Sequence, residues 1–249
     1  MNAIAIIPAR YASTRFPGKP LADIAGRPMI QWVYDQASQA LADVYVATDD
    51  TRIMDAVVAF GGRAVMTSDQ HQSGTDRIAE AVAAIQAQTG RTFDIVVNIQ
   101  GDEPFIQPAQ IQSLISCFAS PRTDIATLIK PITDEAVLPN PNSPKVVIGT
   151  RGQALYFSRS AIPFARGTAA GQWIAAHQYY KHIGIYAYRT SVLFEITQLP
   201  QSPLELAESL EQLRWLENGY TVQTAQTDFE GMAVDTPEDL QRVLASLGL

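Results

Sequence analysis

One cysteine, three histidines and no apolar run long enough to cross a bilayer limit this 249-residue chain before any motif is read. A lone Cys117 excludes an internal disulfide and fits a reducing compartment. Its neighbours Leu114, Ile115 and Phe118 place it on a helical apolar face, where packing accounts for it. His71 and His177 stand at no metal-ligand spacing from that thiol, so a zinc site is not expected. Basic charge is also short. Eighteen Lys and Arg face 25 Asp and Glu, a net charge of −7. A nucleic-acid binder needs a broad basic face that such a chain cannot supply. The opening Met-Asn-Ala-Ile-Ala-Ile-Ile-Pro is apolar but far too short to span a membrane, and no basic flank precedes it. It reads as a first strand, and a cytoplasmic protein without signal or anchor is expected. With 47% hydrophobic and 17% charged residues the composition is that of an ordered globular protein. The length suits one large α/β domain or two small lobes.

What is present alternates between the period of a strand and the period of a helix. Residues 3–7 form a strand running into Pro8, and Met29, Ile30, Val33, Tyr34 and Ala37 recur at helical spacing. A buried strand at 44–48 follows, then a helix at 53–60 closed by Gly61-Gly62, then a strand at 63–67. Ile78, Val82 and Ile85 mark a helix entered through the Ser/Thr/Asp-rich stretch 73–76. The almost unbroken apolar run 94–100 suits a central parallel strand. Such alternation implies right-handed crossovers and a doubly wound sheet. After the turn-rich break 139–144 the pattern changes to strands at 145–149, 155–158 and 182–188 with no long helix between them. This predicts an antiparallel extension, spanning about residues 140–190, inside a single domain. Toward the end, Leu206, Leu210, Leu213 and Leu216 predict one amphipathic helix over 205–217. A last helix starts with Thr236 as N-cap, Pro237 at its first position, and Glu238 and Asp239 in its first turn.

Two loops leave the ends of predicted parallel strands, where open sheets bind ligands. The first, residues 8–20, carries Arg10, Arg15 and Lys19, while residues 1–22 contain no acid. In an acidic protein that reversal of sign suggests a site for a small, multiply charged anion. Small residues such as Ala9 and Ser13 let backbone N–H groups face it. The spacing is not that of a Walker phosphate loop, and Pro20 stands where the helix would begin. The second loop, Asn98-Ile99-Gln100-Gly101-Asp102-Glu103-Pro104, puts the Asp102 carboxylate at a strand end, where a magnesium ion bridging to phosphate would want it. Asp235 is either a helix-start acid or a second metal ligand.

Eight segments in order resemble the 3-deoxy-manno-octulosonate cytidylyltransferase (CMP-Kdo synthetase) family along essentially the whole chain. They are Ile7-Pro8-Ala9-Arg10-Tyr11 through Gly18-Lys19-Pro20-Leu21; Val46-Ala47-Thr48-Asp49-Asp50; His71-Gln72-Ser73-Gly74-Thr75-Asp76-Arg77; Asn98 to Pro104; Leu155-Tyr156-Phe157-Ser158-Arg159 with Ile162-Pro163; His182-Ile183-Gly184-Ile185-Tyr186; Leu210-Glu211-Gln212-Leu213-Arg214; and Val234-Asp235-Thr236-Pro237-Glu238-Asp239. Any one would be weak, whereas eight in order are specific. Phe16 replaces a commoner leucine, and residues 166–178 match no pattern.

The resemblance implies a Rossmann-like nucleotidyltransferase fold, with a mixed, mostly parallel sheet flanked by helices and a small antiparallel extension. It implies transfer of CMP from CTP to 3-deoxy-manno-octulosonate (Kdo) with release of pyrophosphate, on the route to lipopolysaccharide, by a cytoplasmic homodimer. By position, Arg10, Arg15 and Lys19, with Ala9 and Ser13, would hold the triphosphate. Ser73, Arg77 and Gln100 would lie near cytidine or sugar, and Asp102 and Asp235 would bind Mg²⁺. His182, Tyr186, Glu211 and Gln212 would contact the sugar acid, with Arg159 beside them. Lys19, Arg15, Asp102 and Asp235 would carry the chemistry. The residue types leave alternatives. His182 also reads as a structural histidine, Glu211 as a solvated acid off the leucine stripe, and Arg159 as a structural ion-pair partner. The acceptor is Kdo, its 8-amino analogue or another keto-sugar acid. A nucleotide-sugar glycosyltransferase is the more distant alternative.

Overall fold

The aliphatic run at residues 4–7 is buried on both faces, as a central parallel strand requires. The computed structural model describes residues 1–246 apart from 14, 72 and 170. Thr14 of the basic loop, Gln72 of the third motif and Ala170 therefore lie outside the described residues.

In chain order the elements are β1 (Ala3–Ala9), β2 (Asp23–Ile24), β3 (Arg27–Pro28), α1 (Met29–Ala40), β4 (Val44–Thr48), α2 (Thr51–Ala59), β5 (Ala64–Met66), α3 (Gly74–Thr89), β6 (Ile95–Asn98) and α4 (Pro108–Ser116). There follow β7 (Ile125–Pro131), β8 (Lys145–Ile148), β9 (Ala154–Ser158), α5 (Trp173–Ala176), β10 (Tyr180–Arg189), α6 (Thr190–Ile196), α7 (Pro203–Glu208), α8 (Gln212–Glu217), β11 (Val222–Gln226) and α9 (Pro237–Ser246). The chain divides into two compact units: Met1–Gln112 with the segment from Gly231 onward, and Ser113–Glu230.

In the first unit β1 pairs in parallel with both β4 and β6, and β4 with β5. The expected crossovers are therefore present, with helices starting where local chemistry says they should. Asp50 caps α2 by accepting from Arg52 N at 2.9 Å. Ser73 and Asp76 form a reciprocal capping box at α3. Thr236 caps α9, its hydroxyl accepting from Asp239 N at 3.2 Å. The loop after β6 passes so close to β1 that a Cβ on Gly101 would lie 2.9 Å from Pro8 O, which makes glycine obligatory there.

The second unit holds the antiparallel part that the sequence predicts. β10 runs antiparallel to β7 and to β8, and β8 to β9. Strands β7 and β11, which pair in parallel, extend that sheet beyond the sequence reading. The helix predicted over 205–217 is a correction. It is two short helices, broken at Ser209, whose φ of 50° is left-handed. Leu210 and Leu213 are buried, but Leu206 is 60% exposed, so the leucine stripe is not one buried face. Residues 166–178, unplaced by pattern, contain α5, and Trp173 stacks on Tyr179.

Candidate active site

The basic loop after β1 is closed on itself. Gly18 takes the left-handed conformation and donates its N–H to Tyr11 O at 2.9 Å, and Phe16 N donates to Ser13 Oγ at 3.3 Å. The closed loop leaves a cavity of about 350 Å³ against the turn after β6. Ala9, Arg10, Ser13, Arg15, Lys19 and Asp102, all singled out in the sequence, line it. Arg10 is exposed, and no carboxylate pairs with it among the described residues.

The two acids expected at this site meet there across 133 residues of chain. Val234 N donates to Asp102 O at 2.9 Å, which lays the segment before α9 alongside the β6 turn. Lys19 Nζ then bonds Asp102 Oδ2 at 2.7 Å and Asp235 Oδ1 at 3.3 Å, while Arg15 approaches both oxygens of Asp235 at 3.2 and 3.3 Å. Two carboxylates converging on one ammonium make a cation site whose occupant is the lysine. Among the described residues no cluster of three or more His, Cys, Asp or Glu side chains surrounds a metal position. The acidic groups gathered here are the two carboxylates of Asp102 and Asp235. That suits Mg²⁺, which takes one or two carboxylates and completes its shell with phosphate and water, and it does not suit zinc.

The other predicted residues of this unit differ in what they have free. Ser73 Oγ accepts from Asp76 N at 3.1 Å as the α3 cap, so its hydroxyl proton remains available. Gln100 Nε2 donates to Asn98 Oδ1 at 3.1 Å, which orients its carboxamide. Arg77 is 1% exposed, with its guanidinium held by Asp49 and Thr67, each at 2.6 Å. It braces the end of β4 against α3 and offers no open face.

In the second unit, His182 and Tyr186 lie on β10 and are packed into an aromatic group. The His182 ring is 5.1 Å from that of Phe157 and 5.3 Å from that of Tyr186, and Trp215 stands edge-on to Tyr186 at 5.0 Å. Burial lowers the His182 imidazole to about 3 and, with Tyr188 and Glu211 nearby, holds the Tyr186 phenol well above its usual value. At neutral pH the imidazole is neutral and the phenol is a proton donor. Gln212 is 4% exposed and its Nε2 has no hydrogen-bond partner, a buried donor that a ligand acceptor would satisfy. Glu211 lies 3.9 Å from Arg214. Arg159 donates from Nε to Glu208 O at 2.7 Å, from Nη1 to Pro141 O at 2.8 Å and from Nη2 to Ser209 O at 3.1 Å. Two of the three nitrogens thus serve the turn that leads into Glu211 and Gln212, and the third ties that turn to the 139–144 break. Thr127, Glu208 and Trp215 belong to this group without any signal in the sequence, since each acts through a partner distant along the chain.

The model of the cytidylyltransferase family matches residues 4–227. The chain belongs to that family. This cytidylyltransferase is 61% identical over 99% of its length to a 3-deoxy-manno-octulosonate cytidylyltransferase of Parabacteroides distasonis, covering 98% of that protein. It is likewise 61% identical, over 97% of its length and 96% of the relative, to the protein of the same name from Bacteroides thetaiotaomicron. A solved structure of CMP:2-keto-3-deoxy-manno-octonic acid synthetase complexed with CTP aligns over 100% of this chain and 99% of its own, with a TM-score of 0.90 at 45% identity. The fold is thus the mixed, mostly parallel nucleotidyltransferase fold that the sequence predicts. Among the described residues no helix is long and apolar enough to cross a membrane.

Proposed function

We propose that this cytidylyltransferase joins CTP to 3-deoxy-manno-octulosonate, giving CMP-Kdo and pyrophosphate on the route to lipopolysaccharide. The observation that carries this reading is chain-long identity of about 60% to proteins named for that acceptor. The anomeric hydroxyl attacks the α-phosphorus of CTP in line. The new O–P bond forms as the α–β bridge breaks, and pyrophosphate leaves with the bridging oxygen. Positioning and charge neutralisation supply the rate.

Arg10, Arg15 and Lys19 hold the triphosphate with the backbone around Ala9 and Ser13, and Lys19 exchanges its carboxylates for phosphate oxygens as the nucleotide enters. Asp102 and Asp235 would hold Mg²⁺, which when bound would supply neutralisation of phosphate charge. Ser73 and Gln100 meet the cytidine or sugar, while Arg77 serves them by bracing β4. His182, Tyr186, Glu211 and Gln212 take the sugar acid, and Arg159 fixes the turn that carries the last two. The two units work as one nucleotidyltransferase domain. Residues 140–190 serve sugar binding and dimerisation, and the homodimer acts in the cytoplasm, where CTP is available.

Incubating the protein with nucleoside triphosphate, Mg²⁺ and Kdo while measuring pyrophosphate tests the reading. Release is expected with CTP and strongly reduced with ATP or GTP. Comparable turnover with a purine triphosphate, or no release with Kdo, overturns it.

A further inference from the structure

Strand β10 carries a bulge between Ile183 and Tyr186 where it faces β7. A bulge takes carbonyls out of the regular ladder, and a buried carbonyl needs another donor. Here that donor is the fully buried hydroxyl of Thr127, 2.8 Å from Ile185 O and 3.3 Å from Ile183 O. A third neighbour, His182 Nε2, lies 2.9 Å from the same hydroxyl oxygen.

A threonine hydroxyl has one proton, and the two carbonyls can only accept. Ile185 O, the nearer carbonyl, takes that proton, so His182 Nε2 must bear its own and donate it. We propose that Thr127 is a positioning residue that locks His182 as the Nε2–H tautomer, so that Nδ1 meets the acceptor sugar as a neutral hydrogen-bond acceptor. Among the described residues Nδ1 has no partner within the chain, which leaves its lone pair for a ligand. The Phe157 and Tyr186 rings packed against the imidazole carry no charge, and burial keeps it unprotonated at neutral pH. A neutral acceptor repels a carboxylate and binds a hydroxyl. His182 therefore reads a hydroxyl of the sugar, and the carboxylate is bound by donors elsewhere. The tautomer follows from the protein alone, whereas the hydroxyl contact rests on the proposed sugar site.

Because the chain has only three histidines, ¹⁵N NMR of the imidazole nitrogens resolves the first part, with His182→Gln identifying the signal. At pH 7 the free protein is expected to show a protonated Nε2 and a pyridine-like Nδ1. An Nδ1–H tautomer or an imidazolium overturns the lock, whatever the enzyme's substrate. For the second part, Thr127→Val is expected to raise KM for Kdo about tenfold with KM for CTP unchanged, and Thr127→Ser, which keeps the hydroxyl, to restore it. An unchanged KM for Kdo in Thr127→Val, or a Thr127→Ser variant as impaired as the valine, overturns the sugar contact while the NMR result still decides the lock. Should the valine variant not fold, the serine kinetics and the wild-type spectrum carry both decisions.

Discussion

Lowering the pH from 7 to 5 offers a proton that the unfolded chain accepts at His182 and the folded chain refuses. In the folded protein, burial among Phe157 and Tyr186 holds the imidazole at about 3, against about 6.5 for a free histidine. The folded value is the lower one, so below pH 6.5 the unfolded state binds more protons. Stability from this group is complete above pH 6.5 and is lost as pH falls toward 3. At pH 5 an unfolded histidine is almost fully protonated, which favours unfolding by about 2 kcal/mol relative to pH 7. His182 as a whole residue is only partly buried, and allowing for that reduces the figure to between about 1 and 2 kcal/mol. For a chain of this length that is on the order of 2–8 °C in Tm. Thermal unfolding followed by tryptophan fluorescence at both pH values, for wild type and His182→Gln, isolates the term. Glutamine can still donate to Thr127 but does not titrate, and every other acid and base is common to both proteins. The variant is expected to lose less Tm between pH 7 and 5 by that amount. Equal losses in the two proteins would refute the burial argument.

Asp102→Asn and Asp235→Asn should each lower kcat about 10²–10³-fold in a pyrophosphate assay at limiting Mg²⁺, with far-ultraviolet circular dichroism unchanged, since both acids sit in loops. Lys19→Ala removes a cation that meets phosphate in both ground and transition states. It should raise KM for CTP and lower kcat, with kcat/KM down at least about 10–100-fold; an effect confined to KM for the sugar would move Lys19 out of the nucleotide half. Arg77→Met strands Asp49 without its partner and should cost about 3 kcal/mol, a Tm lower by on the order of 10 °C. Arg77→Met with Asp49→Asn should recover part of that loss, and a fully additive double variant would contradict the pairing.

Much of the fold can be read along the chain because its signals act within one turn of backbone. The Ser/Thr/Asp-rich entry at 73–76, the Thr236 cap and the apolar run into β6 are all local, and the structure agrees with each. The same locality explains the error at 205–217. Leu206, Leu210 and Leu213 keep helical spacing across a break made by something outside the segment. Arg159, about 50 residues earlier, takes the carbonyls of Glu208 and Ser209 and closes α7 there.

The partners within the site follow another rule. Residue type and motif order identify Lys19, Asp102 and Asp235 as a set, but only the packing of the α9 approach against the β6 turn brings both acids to one ammonium. By resemblance Arg77 is expected near the cytidine or sugar, and in the structure it is a buried brace paired with Asp49. His182 reads as either a structural histidine or a ligand contact, and its proton is assigned by Thr127, 55 residues away on a neighbouring strand. Propensity and periodicity are properties of neighbouring residues. Charge pairing and proton sharing depend on which strands and loops lie side by side, and that is decided only when the sheets assemble.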